Sequence, residues 1–267
     1  MNYIISLHPV LQGLCATLFT YFVTALGAAL VFFFKSVNRK VLDAMLGFSA
    51  GVMIAASFWS LLEPSLSLAA ELGYIEWLVP ALGVLCGGGL IIGADRMLSR
   101  YSFQEVNFHS GNAQSLRRSI LLVTAVTLHN IPEGLAVGVA FGGGAVGIPG
   151  CDLIGALVLA MGVGLQNFPE GASVSLPLRR EGFSRKRSFF YGQLSGLVEP
   201  VAGVIGVVSA LFIRPLLPFL LSFSAGAMIA VVASELIPES AQQNKRLSTL
   251  GVIAGFIIMM VLDVALG

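Results

Sequence analysis

The sequence predicts an all-α integral membrane protein of eight transmembrane helices. Three observations carry that expectation. The 267 residues are 56% hydrophobic and only 11% charged, with a mean hydropathy of +0.89, which is the balance of a polytopic membrane chain and not of a soluble core. Apolar runs recur along the whole length, each able to cross about 30 Å of hydrocarbon at about 1.5 Å per residue. Of the 15 Lys and Arg residues, all but Arg214 fall in alternate connections between these runs.

Taken in order, the spans are expected at about 9–34, 41–62, 75–94, 119–141, 152–178, 188–213, 215–234 and 247–262. The third is rich in glycine and the eighth is short. The first connection carries Lys35, Arg39 and Lys40, and the third (95–118) carries Arg96, Arg100, Arg117 and Arg118. The fifth holds Arg179, Arg180, Arg185, Lys186 and Arg187, and the seventh Lys245 and Arg246. By the positive-inside rule these connections are cytoplasmic and both termini lie outside. The chain is read as one transmembrane domain, 1–267, in the cell (inner) membrane. The N-terminus has neither a basic n-region nor a small-residue cleavage site, so no signal peptide is expected. Cys15, Cys86 and Cys151 are odd in number and scattered in or beside apolar runs, which marks them as small buried hydrophobes. A net charge of +1 with basic residues explained by topology gives no sign of nucleic-acid binding.

One stretch breaks the apolar pattern. Leu128-His129-Asn130-Ile131-Pro132-Glu133-Gly134 lies in a run from Ser119 to Cys151 whose only charged residue is Glu133. Thirty-seven residues later comes Leu165-Gln166-Asn167-Phe168-Pro169-Glu170-Gly171, with Leu, Asn, Pro, Glu and Gly in register. A carboxylate at mid-membrane depth costs at least about 2.5–3.5 kcal/mol on insertion scales and marks a functional site by default. On a helix, His129 and Glu133 share a face with Asn130 beside them, and Gln166, Asn167 and Glu170 repeat the arrangement. Pro132 and Pro169 are expected to bend their helices and free the carbonyls of Leu128 and Leu165. An imidazole, carboxamides and two carboxylates suit a divalent cation.

A second pair of segments matches at an offset of 175: 46–55 and 221–230 share eight of ten residues. These lie in spans two and seven, which cross in opposite directions, as do spans four and five. Both pairs fit a rule in which span n matches span 9−n, an inverted repeat with its site near the midplane. Met53, His129, Gln166 and Glu199 all fall near the middle of their spans, and Glu199 is the third charge at that depth. Glu63 near the outer end of span two and Glu235, with Ser234, near the inner end of span seven are candidates for the two mouths. Asp263 ends span eight at the interface, and Met228, the mate of Met53, is expected to pack.

At these residues the chain resembles the ZIP family of divalent metal transporters. His129 to Gly134 matches the family's fourth-helix signature, Gln166 to Gly171 is similar to the fifth-helix form of the GufA-like branch, and Val198-Glu199-Pro200 to the sixth-helix motif. The resemblance implies a ZIP-type bundle with a two-metal centre bridged by Glu133 and Glu170. One site would comprise Met53, His129, Glu133, Gln166 and Glu170, and the other Asn130, Glu133, Asn167, Glu170 and Glu199. It further implies import of transition-metal ions, zinc foremost with cadmium, iron and manganese as alternatives. Two departures bear on selectivity: Gln166 stands where many members carry His, and the third connection contains only His109.

Metal ions are expected as substrate, with no organic cofactor. The expected partners are the metal and the lipid bilayer, with a homodimer as a candidate assembly. An enzyme is disfavoured, because HExxH is absent and the Glu-x-x-His pattern of di-iron sites has no second intramembrane His. A proton or cation channel using the same carboxylates is the alternative, against which the inverted repeat favours alternating access. No Lys or Arg lies inside an expected span, so a bound cation is the natural counter-charge for three buried carboxylates.

Overall fold

The computed structural model describes residues 7–34, 38–104, 112–147, 152–180 and 182–266. The side chains of 98–104, 112–122, 125, 129, 180 and 266 lie outside the described residues. Among the described residues there is no strand. The helices are α1 (Pro9–Phe33), α2 (Arg39–Glu71), α3 (Leu78–Gln104), α4 (Asn112–Ala145), α5 (Leu153–Arg180), α6 (Arg185–Phe212), α7 (Arg214–Ser240) and α8 (Lys245–Leu266). Seven are long and apolar enough to cross a membrane over their described residues. The remaining one, α4, contains the expected fourth span.

Several boundaries differ from expectation. The second span does not end at 62 but continues to Glu71. The expected connection 95–118 is helical up to Gln104 and again from Asn112. Hydropathy locates the hydrocarbon, not the helix end: Asp95, Arg96 and Arg100 are compatible with helix and can continue it into water. Cys15 and Cys86 are free and exposed rather than buried, because α1 and α3 turn those faces outward to an environment as apolar as the interior. Cys151 and His109 lie outside the described residues.

Prolines also accompany helix irregularities that the sequence had not marked. α4 and α5 run as helix through Pro132 and Pro169. The irregularities come in α2, α6 and α7. Residues Ser57–Leu62 and Val232–Leu236 are π-helical, each followed two residues on by Pro64 or Pro238. A proline ring clashes with the carbonyl four residues back, and a five-residue register relieves it. Ser57 and Val232 are again 175 residues apart, so the repeat extends into backbone irregularity. In α6, Pro200 opposes the carbonyl of Gly196, and the helix breaks at Leu197 into Arg185–Gly196 and Val198–Phe212.

The tightest pairings are α2 with α8, α3 with α7, α1 with α5, and α4 with α6. This corrects the expected symmetry. The matched pairs α2/α7 and α4/α5 stand, but the rule n to 9−n would send α2·α8 onto α1·α7, which make no comparable contact. Exchanging α1 with α6, α2 with α7, α3 with α8 and α4 with α5 instead maps all four tight pairs onto one another. Sequence similarity had marked only two helix pairs, and both rules contain them. The helices thus form two groups, α1/α4/α5/α6 and α2/α3/α7/α8, the second joined to the first mainly through α2·α5 and α4·α7.

Glycines set the closest approaches, as expected where helices pack without a solvent-driven hydrophobic force. A Cβ at Gly51 of α2 would lie 2.7 Å from the backbone nitrogen of Phe256 in α8. A Cβ at Gly134 of α4 would lie 2.7 Å from Glu199 Cα in α6, and one at Gly171 of α5 would lie 2.8 Å from the nitrogen of Ala28 in α1. The glycines closing the two sequence motifs are therefore contact points at which the partner backbones are brought in.

Candidate functional site

Asn130 and Glu133 of α4, Gln166, Asn167 and Glu170 of α5, and Glu199 of α6 are all buried, none more than 4% exposed. Their three- and four-residue spacing places each set on one side of its helix. Gln166 Nε2 donates to Glu133 Oε1 at 2.5 Å, tying the two motif copies together. Asn130 Nδ2 donates to the carbonyl of Ser195 in α6 at 2.9 Å. Asn167 Nδ2 donates to Glu199 Oε2 at 2.9 Å and lies 3.3 Å from the carbonyl of Thr20 in α1.

The direction of these bonds is informative. All three amides turn their N–H₂ groups to protein acceptors and leave their oxygens over. Asn130 Oδ1, Gln166 Oε1 and Asn167 Oδ1 are buried without a donor, and so are Glu133 Oε2 and Glu170 Oε2. A buried polar atom without a partner costs about 1–3 kcal/mol. Five oxygens on two adjacent helices share the same deficit, and every one is an acceptor. Glu133 lies within electrostatic reach of Glu170 and Glu199, and Glu170 within reach of Glu199 and Glu235. Among the described residues no positive charge meets these oxygens, and a cation is the kind of partner all five could accept.

Glu199 is different. Both of its oxygens have donors: Thr20 Oγ1 and Asn167 Nδ2 on Oε2, and Thr24 Oγ1 on Oε1 at 3.3 Å. It lies in the first turn after the break at Leu197, where a helix N-terminus favours negative charge. The Pro200-induced break and the close approach at Gly134 together deliver it to the level of the two motifs.

Of the other expected residues, His129 lies on α4 one turn before Glu133, and its side chain is outside the described residues. Met53 is fully buried within the main apolar cluster, as is Met228. Glu63 is exposed at the end of the α2 π segment. Ser234 is exposed and its hydroxyl donates to the Ala230 carbonyl at 2.8 Å. Glu235 is half-buried in the α7 π segment, within electrostatic reach of Glu170. Asp263 accepts from Ser60 of α2 at 2.6 Å. Among the described residues no three His, Cys, Asp or Glu side chains form a metal cage by themselves. The buried cluster instead mixes amide oxygens with carboxylates.

Sequence reasoning missed the residues that hold this set. Thr17, Thr20 and Thr24 of α1 are fully buried, and their spacing of three and four was a legible signal of one polar face on an apolar helix. Ser49 of α2 donates to the Gln166 carbonyl at 2.9 Å. The carbonyl of Ser195 had no sequence signal, since any residue supplies one.

Comparison with known proteins places the chain in a family. Residues 109–263 match the family model described as ZIP Zinc transporter. Zinc transporter ZIP11 of Xenopus tropicalis is 40% identical, covering 97% of this chain and 98% of its own length. Zinc transporter GufA of Myxococcus xanthus is 37% identical over 96% of this chain and 99% of the relative. Zinc transporter ZIPB of Bordetella bronchiseptica is 36% identical over 91% and 78% respectively. With buried carboxylates and amides on matching helices and similarity along nearly its whole length, the chain belongs to the ZIP zinc transporter family, in its GufA-like branch.

Proposed function

We propose that this chain carries divalent transition-metal ions across a membrane, zinc foremost, and that it is a transporter and not an enzyme. The observation that carries the reading is the set of five buried oxygens left without donors on α4 and α5. In this reading Glu133 and Glu170 bridge two ions. His129, Gln166 and Met53 complete one site, and Asn130, Asn167 and Glu199 the other. Oxygen donors dominate the second site, whereas His129 and Met53 soften the first, so Cd should prefer the first and Mg should compete poorly overall. The pseudo-two-fold relation between helices supports alternating access, with the α2/α3/α7/α8 group framing the group that holds the ions. Glu63, Ser234 and Glu235 line the two mouths of the path.

Family membership supports import towards the cytoplasm, and the asymmetric distribution of Lys and Arg supports both termini outside, in a single transmembrane domain of the cell membrane. A homodimer is a candidate assembly. The test is uptake of Zn, Cd, Mn and Fe into proteoliposomes, with Mg as control, by wild type and by the Glu133→Ala/Glu170→Ala double variant. Saturable transition-metal uptake lost in the double variant is expected. Wild-type vesicles that take up no more metal than empty ones would sink the reading.

A further inference from the structure

We infer that α1 supplies a hydroxyl cradle, Thr20 with Thr24, that positions Glu199 and through it turns the Asn167 carbonyl oxygen towards the second cation. The inference rests on the two-cation reading above and assigns to it residues that neither motif contains.

Three facts carry it. First, Glu199 is the buried carboxylate of the centre whose oxygens both have donors, and two of its three donors come from α1: Thr20 Oγ1, which also lies 3.0 Å from the Thr17 carbonyl, and Thr24 Oγ1, which shares its one proton between Glu199 Oε1 at 3.3 Å and the Thr20 carbonyl at 3.2 Å. Second, α1 and α6 are matched residue by residue. Thr17 faces Gly203, Thr20 contacts Glu199, and Thr24 faces Gly196, so the threonine ladder runs antiparallel to a Gly–Glu–Gly ladder, steps of three and four residues set against steps of four and three. A Cβ at Gly203 would lie 2.9 Å from Thr17 Oγ1. One at Gly196 would lie 3.0 Å from Thr24 Cγ2 and 3.1 Å from Glu199 Oε1. Gly196 clears the space in which Thr24 reaches the carboxylate, while Gly203 lets α1 and α6 close at Thr17, whose hydroxyl donates to the Gly13 carbonyl of its own helix at 2.8 Å. Third, the third donor on Glu199 is Asn167 Nδ2, and Asn167 Oδ1 is one of the orphaned oxygens.

The chain of constraint follows from hydrogen-bond chemistry. An amide can present either its oxygen or its N–H₂ to a given direction. Glu199 accepts from Asn167 Nδ2 and so fixes which end of that amide is left for the cation. Glu199 itself has many accessible rotamers unless its oxygens are held, and Thr20 and Thr24 hold them. The hydroxyls do not coordinate the ion. They are positioning residues, acting on the second site and not on the first, since Thr20 and Thr24 contact neither Glu133 nor Gln166 through any hydrogen bond among the described residues.

Two measurements on purified, full-length protein test the cradle. The first needs no metal. The carboxyl infrared band of Glu199, identified by its absence from Glu199→Gln, should shift in Thr20→Val and return in Thr20→Ser. An unshifted band in Thr20→Val overturns the cradle whether or not the protein binds two ions. The second is calorimetric titration with Zn and with Cd. Thr20→Val should weaken the second ion about 10–100-fold, the usual scale for outer-shell partners, and leave the first within twofold. Thr20→Ser should restore it, and Thr24→Val should have a smaller effect in the same direction. Equal weakening of both ions, or a loss that Thr20→Ser does not restore, would show that the methyl packing of Thr20 and not its hydroxyl matters, and would overturn the inference. A wild-type stoichiometry of one would instead remove the two-cation reading, while the infrared shift still decides the cradle.

Discussion

Two regions of this protein bury carboxylates completely, and they treat them in opposite ways. At the start of α2, Asp43 is fully buried. Arg39 Nε donates to its Oδ1 at 2.9 Å and the backbone of Asn244 to its Oδ2 at 3.1 Å. The same arginine reaches Glu239 at 2.6 Å, so one cation staples α2 to the end of α7. At the centre of α4 and α5, Glu133 and Glu170 are buried as deeply, yet each retains an oxygen with no donor. A buried ion is stable when paired and costly when alone. Asp43 carries its counter-charge within the chain. Among the described residues the central pair has no such counter-charge, and we propose that a metal ion takes that position. Depth alone therefore does not identify a functional carboxylate; an unmet demand for positive charge does.

The sharpest way to break this comparison is to neutralise one member of each region. Glu133→Ala or Glu170→Ala should lower metal affinity at both sites by at least about 100-fold, since even outer-shell changes cost about 10–100-fold. Asp43→Asn should leave affinity within twofold and lower the melting temperature of the detergent-solubilised protein instead. Two full-affinity ions in either glutamate variant would end the bridging assignment.

Glycine substitutions give the next contrast. Gly134→Ala places a Cβ against the backbone of Glu199, so we expect metal affinity to fall at least about tenfold as α6 is pushed away. Gly83→Ala creates a comparable clash between α3 and α7, two helices that carry none of the proposed ligands, and should cost stability of about 1–3 kcal/mol with affinity unchanged. Equal loss of affinity in both would mean that general packing, not delivery of Glu199, governs the site.

Protons offer a third test. A proton is the other counter-charge available to the central carboxylates, and His129 must be neutral to ligate a metal. Metal binding should displace protons, and affinity should fall as pH falls. In lightly buffered solution between pH 6 and 8, wild type and Asp43→Asn should release the same number of protons per bound ion, and Glu199→Gln fewer. Binding by wild type without proton release would show that the empty centre is already ionised.

The smallest expected difference separates two symmetry-related serines. Ser49 donates to the Gln166 carbonyl, whereas the hydroxyl of its mate Ser224 is buried without a partner. Removing a satisfied bond costs about 0.5–1.5 kcal/mol, so Ser49→Ala should destabilise by about that amount. Ser224→Ala should be close to neutral in the same unfolding measurement, and an equal loss in both would mean that Ser224 has an unseen partner.

Much of this protein was determined by sequence alone. Hydrophobic runs and the placement of Lys and Arg gave the helical class and the order of the spans, because lipid leaves backbone groups to be paired within the chain and continuous apolar runs of this length pair them as helix. The duplicated Asn-x-Pro-Glu-Gly motif exposed Asn130, Glu133, Asn167 and Glu170, because a carboxylate in an apolar run is conspicuous whatever surrounds it. The tertiary structure decided the rest. Which helices are symmetry mates depended on packing, since two matched segments fit more than one rule. The helix ends at Glu71 and Gln104 were invisible to hydropathy, which measures transfer into lipid and not hydrogen bonding along the chain. The break at Leu197 required knowing which proline distorts its helix, and α4 and α5 pass through theirs as helix. Above all, Thr20 and Thr24 lie about 175 residues from Glu199 in sequence. A hydroxyl in an apolar helix can bond its own backbone or a distant carboxylate, and only the packing of α1 on α6 brings that carboxylate within reach.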